Sequence, residues 1–312
     1  MAEGPALHTP GLFYLFAALS ILYFLYNSRR ALAVRVGRPE PRTVKPLTMI
    51  RNGLLFGLAQ SRVTSRRFSY ATVMHFCLGW GFIELFFATT VDFIVERGPS
   101  TAWLPVKDTP WFAALNDLGG LLMLVGIVMA LIRRHGGNRP ELLPHNAFRG
   151  RGLLLGDTGL LLVLLLLVVG GFLTEAARLA IETPSTASAS IIGYSLSRLV
   201  DGQQWAGWQP WLWWSHAFLA LALIAVLPRT KLYHAIIGIV NVALTSNEER
   251  GELRSMNIAQ LMDDPDLVED DLVLGAGQVS DFTWKQLLDA QACTECARCT
   301  SVCPAYAAGM PL

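Results

Sequence analysis

Five long apolar runs constrain this chain more than any other feature. A membrane-spanning helix needs about 20 mostly apolar residues, and runs of that kind occupy residues 11–27, 70–91, 111–132, 153–176 and 211–227. The fourth, LLLGDTGLLLVLLLLVVGGFL, is almost unbroken. In lipid a backbone satisfies its own amides and carbonyls only as a helix or a closed barrel, and runs of this length and apolarity read as helices. The expected fold class is therefore an all-α membrane protein with five transmembrane helices. A chain that is 53% hydrophobic and only 16% charged agrees with that reading. The first run is not a good cleavable leader, because its positive charge follows the apolar stretch and no convincing small-residue cleavage site appears.

The distribution of Lys and Arg sets the expected orientation. Residues 28–69 carry Arg29, Arg30, Arg35, Arg38, Arg42, Lys45, Arg51, Arg62, Arg66 and Arg67, and residues 133–152 carry Arg133, Arg134, Arg139, Arg149 and Arg151. The opposite loops hold only Arg97 and Lys107 in one and Arg198 in the other. The rich loops are expected in the cytoplasm, the N-terminus outside and the C-terminus inside. Trp103, Trp111, Trp205, Trp208, Trp211, Trp213 and Trp214 mark the outer boundary, as an aromatic belt does. The expected location is the cell's inner (cytoplasmic) membrane, crossed several times, with the lipid bilayer as a partner. A net charge of +1 gives no reason to expect nucleic acid as a partner, and none is expected.

From about residue 245 the chain turns polar, through SNEERGELRS to the acidic DDPDLVEDD, which reads as a solvated linker. This tail is too short for a large apolar core, and a metal centre is the kind of staple it needs. Cys293, Cys296, Cys299 and Cys303, in ACTECARCTSVCPAY, follow the bacterial ferredoxin spacing C-x-x-C-x-x-C-x-x-x-C-P. Soft thiolates suit iron, and Pro304 turns the chain away from the last ligand. Zinc sites typically pair C-x-x-C units across a longer loop, and disulfides are out of place in a reducing cytoplasm. In two-cluster ferredoxins the fourth cysteine serves the other cluster. Cys303 thus has two readings, fourth ligand of a single 4Fe-4S cluster or donor to a second one. Cys77, in the second apolar run, reads as a packing residue.

Ionisable residues inside membrane segments are functional suspects. His75 lies in the second run, His216 in the fifth, and His234 eighteen residues beyond it. On a continuous helix that interval is about five turns, so the two side chains would point the same way about 27 Å apart, with Pro228 as a potential kink. A helix of that kind offers one ligand to each of two layers. A b-type haem takes two axial imidazoles at similar depth on facing helices, and His75 with His234 is the preferred pair, although their depths differ by about 10 Å on the helical rise. His216 lacks a clear partner, since Leu85 stands where a second-layer ligand on the second helix could be and His8 precedes the first helix. It reads either as a second-layer ligand or as a hydrogen-bonded interfacial histidine. His135 and His145 read as solvated loop residues. Glu84, Asp157, Glu175 and Arg178 are other charged residues in or next to apolar segments, and Glu175 and Arg178 are spaced to meet on one helix face. A structural ion pair is preferred to a quinone pocket there.

On these residues the chain resembles a known family. The five apolar segments, the interval from His216 to His234 and VMHFCLGWGFIELFF resemble the haem b membrane domain of the respiratory nitrate reductase gamma subunit. Where that family has its other second-helix ligand this chain has Leu85, which bears on the outer haem. DFTWKQLLDAQACTECARCTSVCPAYAAGMPL, GFLTEAARLA and WWSHAFLALALIAVLPRTKLYH resemble membrane-bound iron-sulfur oxidoreductases of the heterodisulfide reductase-like family, in which such a domain is fused to an iron-sulfur one. Ala297 stands where a glycine is usual in that family. A second cluster motif and two cysteine-rich domains normally follow, so the chain reads as an N-terminal portion.

The resemblance implies three segments: a haem b membrane domain over residues 1–245, an acidic linker over 246–281 and the start of a ferredoxin-type module over 282–312. It implies an oxidoreductase of a respiratory electron-transport chain, with one haem b, a second in doubt, and a 4Fe-4S cluster. Electrons would pass between a cytoplasmic donor, first an electron-transfer flavoprotein, and membrane quinone. A thiol/disulfide couple is the alternative donor. The competing class is a non-enzymatic membrane sensor or transporter with an iron-sulfur tail.

Overall fold

The structure, a computed structural model, describes residues 10–40, 44–64, 69–97, 109–136, 156–245, 275–294 and 296–310. Its α-helices are α1 (Pro10–Ala31), α2 (Pro46–Asn52), α3 (Ser69–Arg97), α4 (Pro110–His135), α5 (Asp157–Glu182), α6 (Ile191–Ser197), α7 (Gly202–Val226), α8 (His234–Ala243), α9 (Trp284–Gln291) and α10 (Pro304–Ala307). Among the described residues there is no strand beyond one isolated bridge, Arg38 to Thr283. Five helices, α1, α3, α4, α5 and α7, are long and apolar enough to cross a membrane. The chain forms two compact units, Met1–Asn27 with Val63–Thr230 and Cys296–Leu312, and Ser28–Arg62 with Lys231–Glu295. His8, His145, Trp103, Lys107, several loop arginines and most of the expected acidic linker lie outside the described residues.

In the first unit, backbone approach decides how the spanning helices pair. A Cβ on Gly81 would stand 2.7 Å from the Met123 amide nitrogen and 2.8 Å from the Gly119 carbonyl oxygen, and one on Gly126 would stand 2.7 Å from the Leu78 amide nitrogen. α3 and α4 therefore touch at backbone distance, as small-residue faces allow in a membrane. Ala88, Val91 and Phe112 close the same contact with a buried cluster. Pro110 fits the first turn of α4, where no amide partner is needed, and Arg133, Arg134 and His135 face the exposed carbonyls of its last turn. Arg134 pairs with Asp157, the first residue of α5.

Several polar residues within the apolar helices find backbone partners, whereas both carboxylate oxygens of Glu84 on α3 are buried without one among the described residues. Ser20 Oγ donates to the Leu221 carbonyl at 2.6 Å and Asn27 Nδ2 to the Ala225 carbonyl at 3.0 Å, tying α1 to α7. Asp117 on α4 accepts from the Ile192 amide at 2.5 Å and so caps α6. Trp205, packed on Ala176 and Ala177, donates its indole N–H to the Ser197 carbonyl at 3.1 Å. Asp201 accepts from the Gln203 amide at 3.2 Å and starts α7 well before residue 211. The expected Glu175–Arg178 pair is present: Arg178 holds Glu175 at 2.8 Å and Glu182 at 2.9 Å. A cavity of about 340 Å³ near this end of α5 is lined by Thr183, Tyr194, Ser197 and Arg198 but by neither member of the pair.

The fifth expected helix departs from a continuous one. α7 ends at Val226, and two 3-10 turns, Leu227–Arg229 and Lys231–Tyr233, intervene before α8 begins at His234. Pro228 has no amide to donate and its ring obstructs a preceding helical turn. The five-turn register between His216 and His234 therefore does not hold, and the 27 Å spacing built on it falls with it.

The second unit joins the basic segment 28–62 to the residues before the cysteines. The Arg38 amide donates to the Phe282 carbonyl at 2.9 Å and the Trp284 amide to the Arg38 carbonyl at 3.1 Å. The Trp284 indole donates to the Glu40 carbonyl at 3.2 Å, and Gln291 donates to the Ala31 carbonyl at 2.6 Å. Thr283 and Gln286 form a capping box at the start of α9. A Cβ on Gly37 would lie 2.6 Å from the Trp284 nitrogen, which explains a glycine there. α2 widens into a π-helical turn, Gly53–Leu58, whose Gly57 meets Ile239 of α8. Asn241 of α8 donates to Asp289 of α9 at 2.9 Å.

Candidate iron-sulfur and haem ligands

The cysteine run is a series of tight turns. Cys293 follows α9 and donates its amide to the Ala290 carbonyl at 3.2 Å. Ala297 is buried and sits in the left-handed region at φ +63°, and its carbonyl accepts from the Ser301 amide at 2.9 Å. A side chain in that region costs about 1–2 kcal/mol, which glycine avoids. This is the physical content of the glycine expected at that position. Thr300–Val302 forms a 3-10 turn, and Cys303 precedes Pro304, the first residue of α10. The fixed φ of Pro304 suits a first helical turn and carries the chain away from Cys303.

Two arginines hold the part of this run from Cys296 onward within the first unit. Arg133, in the last turn of α4, donates to the Cys296 carbonyl at 3.2 Å. Arg298 donates to the Val63 carbonyl, just before α3, at 2.5 Å. In the sequence Arg133 carries weight only as a loop charge, and nothing in its neighbours gives away the carbonyl it holds. Cys296, Cys299 and Cys303 belong to the first unit and Cys293 to the second. No disulfide joins any of the five cysteines, and Cys77 is buried as a packing residue would be. Four thiols at this spacing are of the right chemistry for an iron-sulfur centre. Among the described residues, however, no three Cys, His, Asp or Glu side chains are gathered closely enough to hold a metal ion.

The histidines also fall in both units. His75 lies on α3 and His216 on α7 in the first unit, while His234 opens α8 in the second. His234 Nδ1 lies 2.6 Å from the Lys231 carbonyl oxygen. As that nitrogen must carry the proton to donate, the lone pair is on Nε2, the tautomer that suits a metal ligand. His216 packs on α5: its ring lies 3.3 Å from where a Cβ of Gly170 would be and 3.5 Å from that of Gly171. The Gly170–Gly171 pair, read in the sequence only as part of an apolar run, makes room for this imidazole. His135 does not stand in a loop; it ends α4, 3.1 Å from Thr158 of α5.

Comparison with characterised proteins bears on the same residues. No protein-family model matches the chain, and no solved structure matches it. It is 26% identical over 96% of its length to "EtfAB:quinone oxidoreductase" of Syntrophomonas wolfei, covering 41% of that protein. It is 27% identical over 96% of its length to "Probable iron-sulfur-binding oxidoreductase FadF" of Bacillus subtilis, again covering 41% of the relative. A shorter likeness, 36% identity over 40% of this chain and 15% of the other, links it to "Probable membrane-anchored ferredoxin" of Chromohalobacter salexigens. The chain thus spans about two fifths of the length of these two relatives, one named as a quinone oxidoreductase and the other as a probable iron-sulfur-binding oxidoreductase.

Proposed function

We propose that this chain is the membrane electron-transfer part of a quinone-linked iron-sulfur oxidoreductase. The observation that carries the reading is likeness over 96% of its length to a protein named for electron-transfer flavoprotein and quinone. Cys293, Cys296 and Cys299 would hold a 4Fe-4S cluster, with Cys303 as its fourth ligand or as a donor to a neighbouring cluster. His75 and His234 would be the axial ligands of a haem b, and His216 belongs to a second site or to none. When bound, these groups supply one-electron carriers, and the protein contributes ligands, orientation and burial. Arg133 and Arg298 orient the loop that carries three of the thiols. The proposed division is a haem membrane domain over residues 1–245, a linker over 246–281 and a ferredoxin-type module from 282, in the cell's inner membrane with the cysteines in the cytoplasm. Reduced electron-transfer flavoprotein is the donor and membrane quinone the acceptor.

Absorption spectra of the purified protein, oxidised and then dithionite-reduced, test the cofactors. Sharp haem b bands are expected, lost in His75→Ala and in His234→Ala but retained in His216→Ala. Loss of all haem in His216→Ala would show the pairing to be wrong, and no haem bands in the unmodified protein would remove haem from the reading. Reduction of the protein by a thiol couple but not by electron-transfer flavoprotein would replace the donor.

A further inference from the structure

The segment from Pro46 to Leu58 has a face that neither the fold nor the redox reading uses. On one side Asn52 is buried, Gly53 meets Ala243 and Gly57 meets Ile239, so this side is occupied by α8. On another, Leu47, Ile50, Leu54 and Leu58 are 78%, 60%, 53% and 39% exposed. Their spacing of three, four and four residues aligns them along one side of a helix. Four large apolar side chains in a row are too many for a chance surface feature of a solvated loop.

Two observations identify what covers this stripe. Residues 41–67 contain Arg42, Lys45, Arg51, Arg62, Arg66 and Arg67 and no Asp or Glu. Lys45 and Arg51 are exposed, and the Arg62 guanidinium lies 4.1 Å from the Phe56 ring centre. The segment also lies between two membrane spans, fourteen residues after α1 and ten before α3, so the chain enters the bilayer shortly on either side of it. An apolar stripe edged by cations and tethered at both ends to a membrane has the chemistry of a helix that lies in the lipid interface. An acidic protein partner would answer the charge but not the nearness of two spans.

We propose that Pro46–Leu58 is an in-plane membrane-binding helix that seats Leu47, Ile50, Leu54 and Leu58 among acyl chains and sets its basic residues against anionic headgroups. This does not rest on the electron-transfer reading. The test is a photo-crosslinking amino acid placed at Leu54, and separately at Asn52, in the full chain reconstituted into phosphatidylcholine vesicles with and without phosphatidylglycerol. Mass spectrometry is expected to find lipid adducts at position 54, rising several-fold with phosphatidylglycerol, and adducts within the protein at position 52. Protein adducts at 54, such as those a further domain or a second protein would give, or no adduct there at all, would overturn the proposal. A lipid yield indifferent to phosphatidylglycerol would overturn its anionic part.

Discussion

Ala297 shows how a single residue constrains the cysteine loop. Its left-handed backbone is set by the turn that carries the chain from Cys296 to Cys299, and alanine tolerates that turn at a cost. Ala297→Gly is expected to stabilise the loop locally by about 0.5–1 kcal/mol, after the greater chain entropy of glycine is counted. That is about a two- to fivefold slowing of hydrogen exchange at the Ser301 amide. Asp281 offers a pH-dependent contrast in the second unit. Hydrogen bonds donated by the Gln278 and Gly277 amides, with Arg38 nearby, hold its carboxyl below the usual carboxylate range despite some opposing desolvation. A carboxyl depressed on folding contributes stability above its unfolded pKa, about 3.9, and loses it as pH falls through the folded value. Amide exchange at Gly277 and Gln278 should therefore speed up on acidification below about pH 4 in the unmodified protein, and be fast and far less pH-sensitive in Asp281→Asn once the intrinsic pH dependence of exchange is removed. The Cys spacing and the Glu175–Arg178 pair were legible from residue type and interval alone. Arg133 was not, since its partner is a backbone carbonyl distant in sequence, and a carbonyl has no residue signature.

At the scale of elements, α3 and α4 are held by what their glycines lack. Gly81→Ala would drive a methyl group into the Met123 and Gly119 backbones, and Gly126→Ala would drive one into the Leu78 amide. Each is expected to destabilise the protein by about 1–3 kcal/mol through overpacking, read as a lower thermal midpoint in detergent. Gly119→Ala differs, because the nearest atoms to its methyl belong to the Glu84 side chain, its carboxylate end first, and not to the backbone of a neighbouring helix. It should cost less, and Glu84→Ala should relieve it in the double variant. An equal loss in all three would show that the helices are not packed at backbone distance here. Length and apolarity announce the existence of these helices, whereas their ends depend on caps and neighbours. α7 starts early because Asp201 caps it and Trp205 has a partner, and it stops at Val226 because Pro228 follows.

For the whole molecule, the loop charges predict an external N-terminus and a cytoplasmic cysteine run. A fluorescent-protein fusion after Leu312, which matures in the cytoplasm, should be bright, and one placed between α3 and α4 should be dark. The reverse pattern would invert the orientation and remove the thiols from a reducing compartment. By itself the sequence determined that the chain is helical, has five helices long and apolar enough to cross a membrane and carries four cysteines at a ferredoxin-like spacing, because each of these follows from hydrophobic length or from residue type at short intervals. Only the tertiary structure decided that segment 28–62 packs with α8 and α9, and that Arg133 and Arg298 secure the cysteine loop. It also decided that His216 rests on Gly170 and Gly171 and that His234 begins a new helix. Those outcomes depend on hydrogen bonds to backbone atoms and on contacts between residues far apart in the chain, and neither leaves a periodic trace in composition.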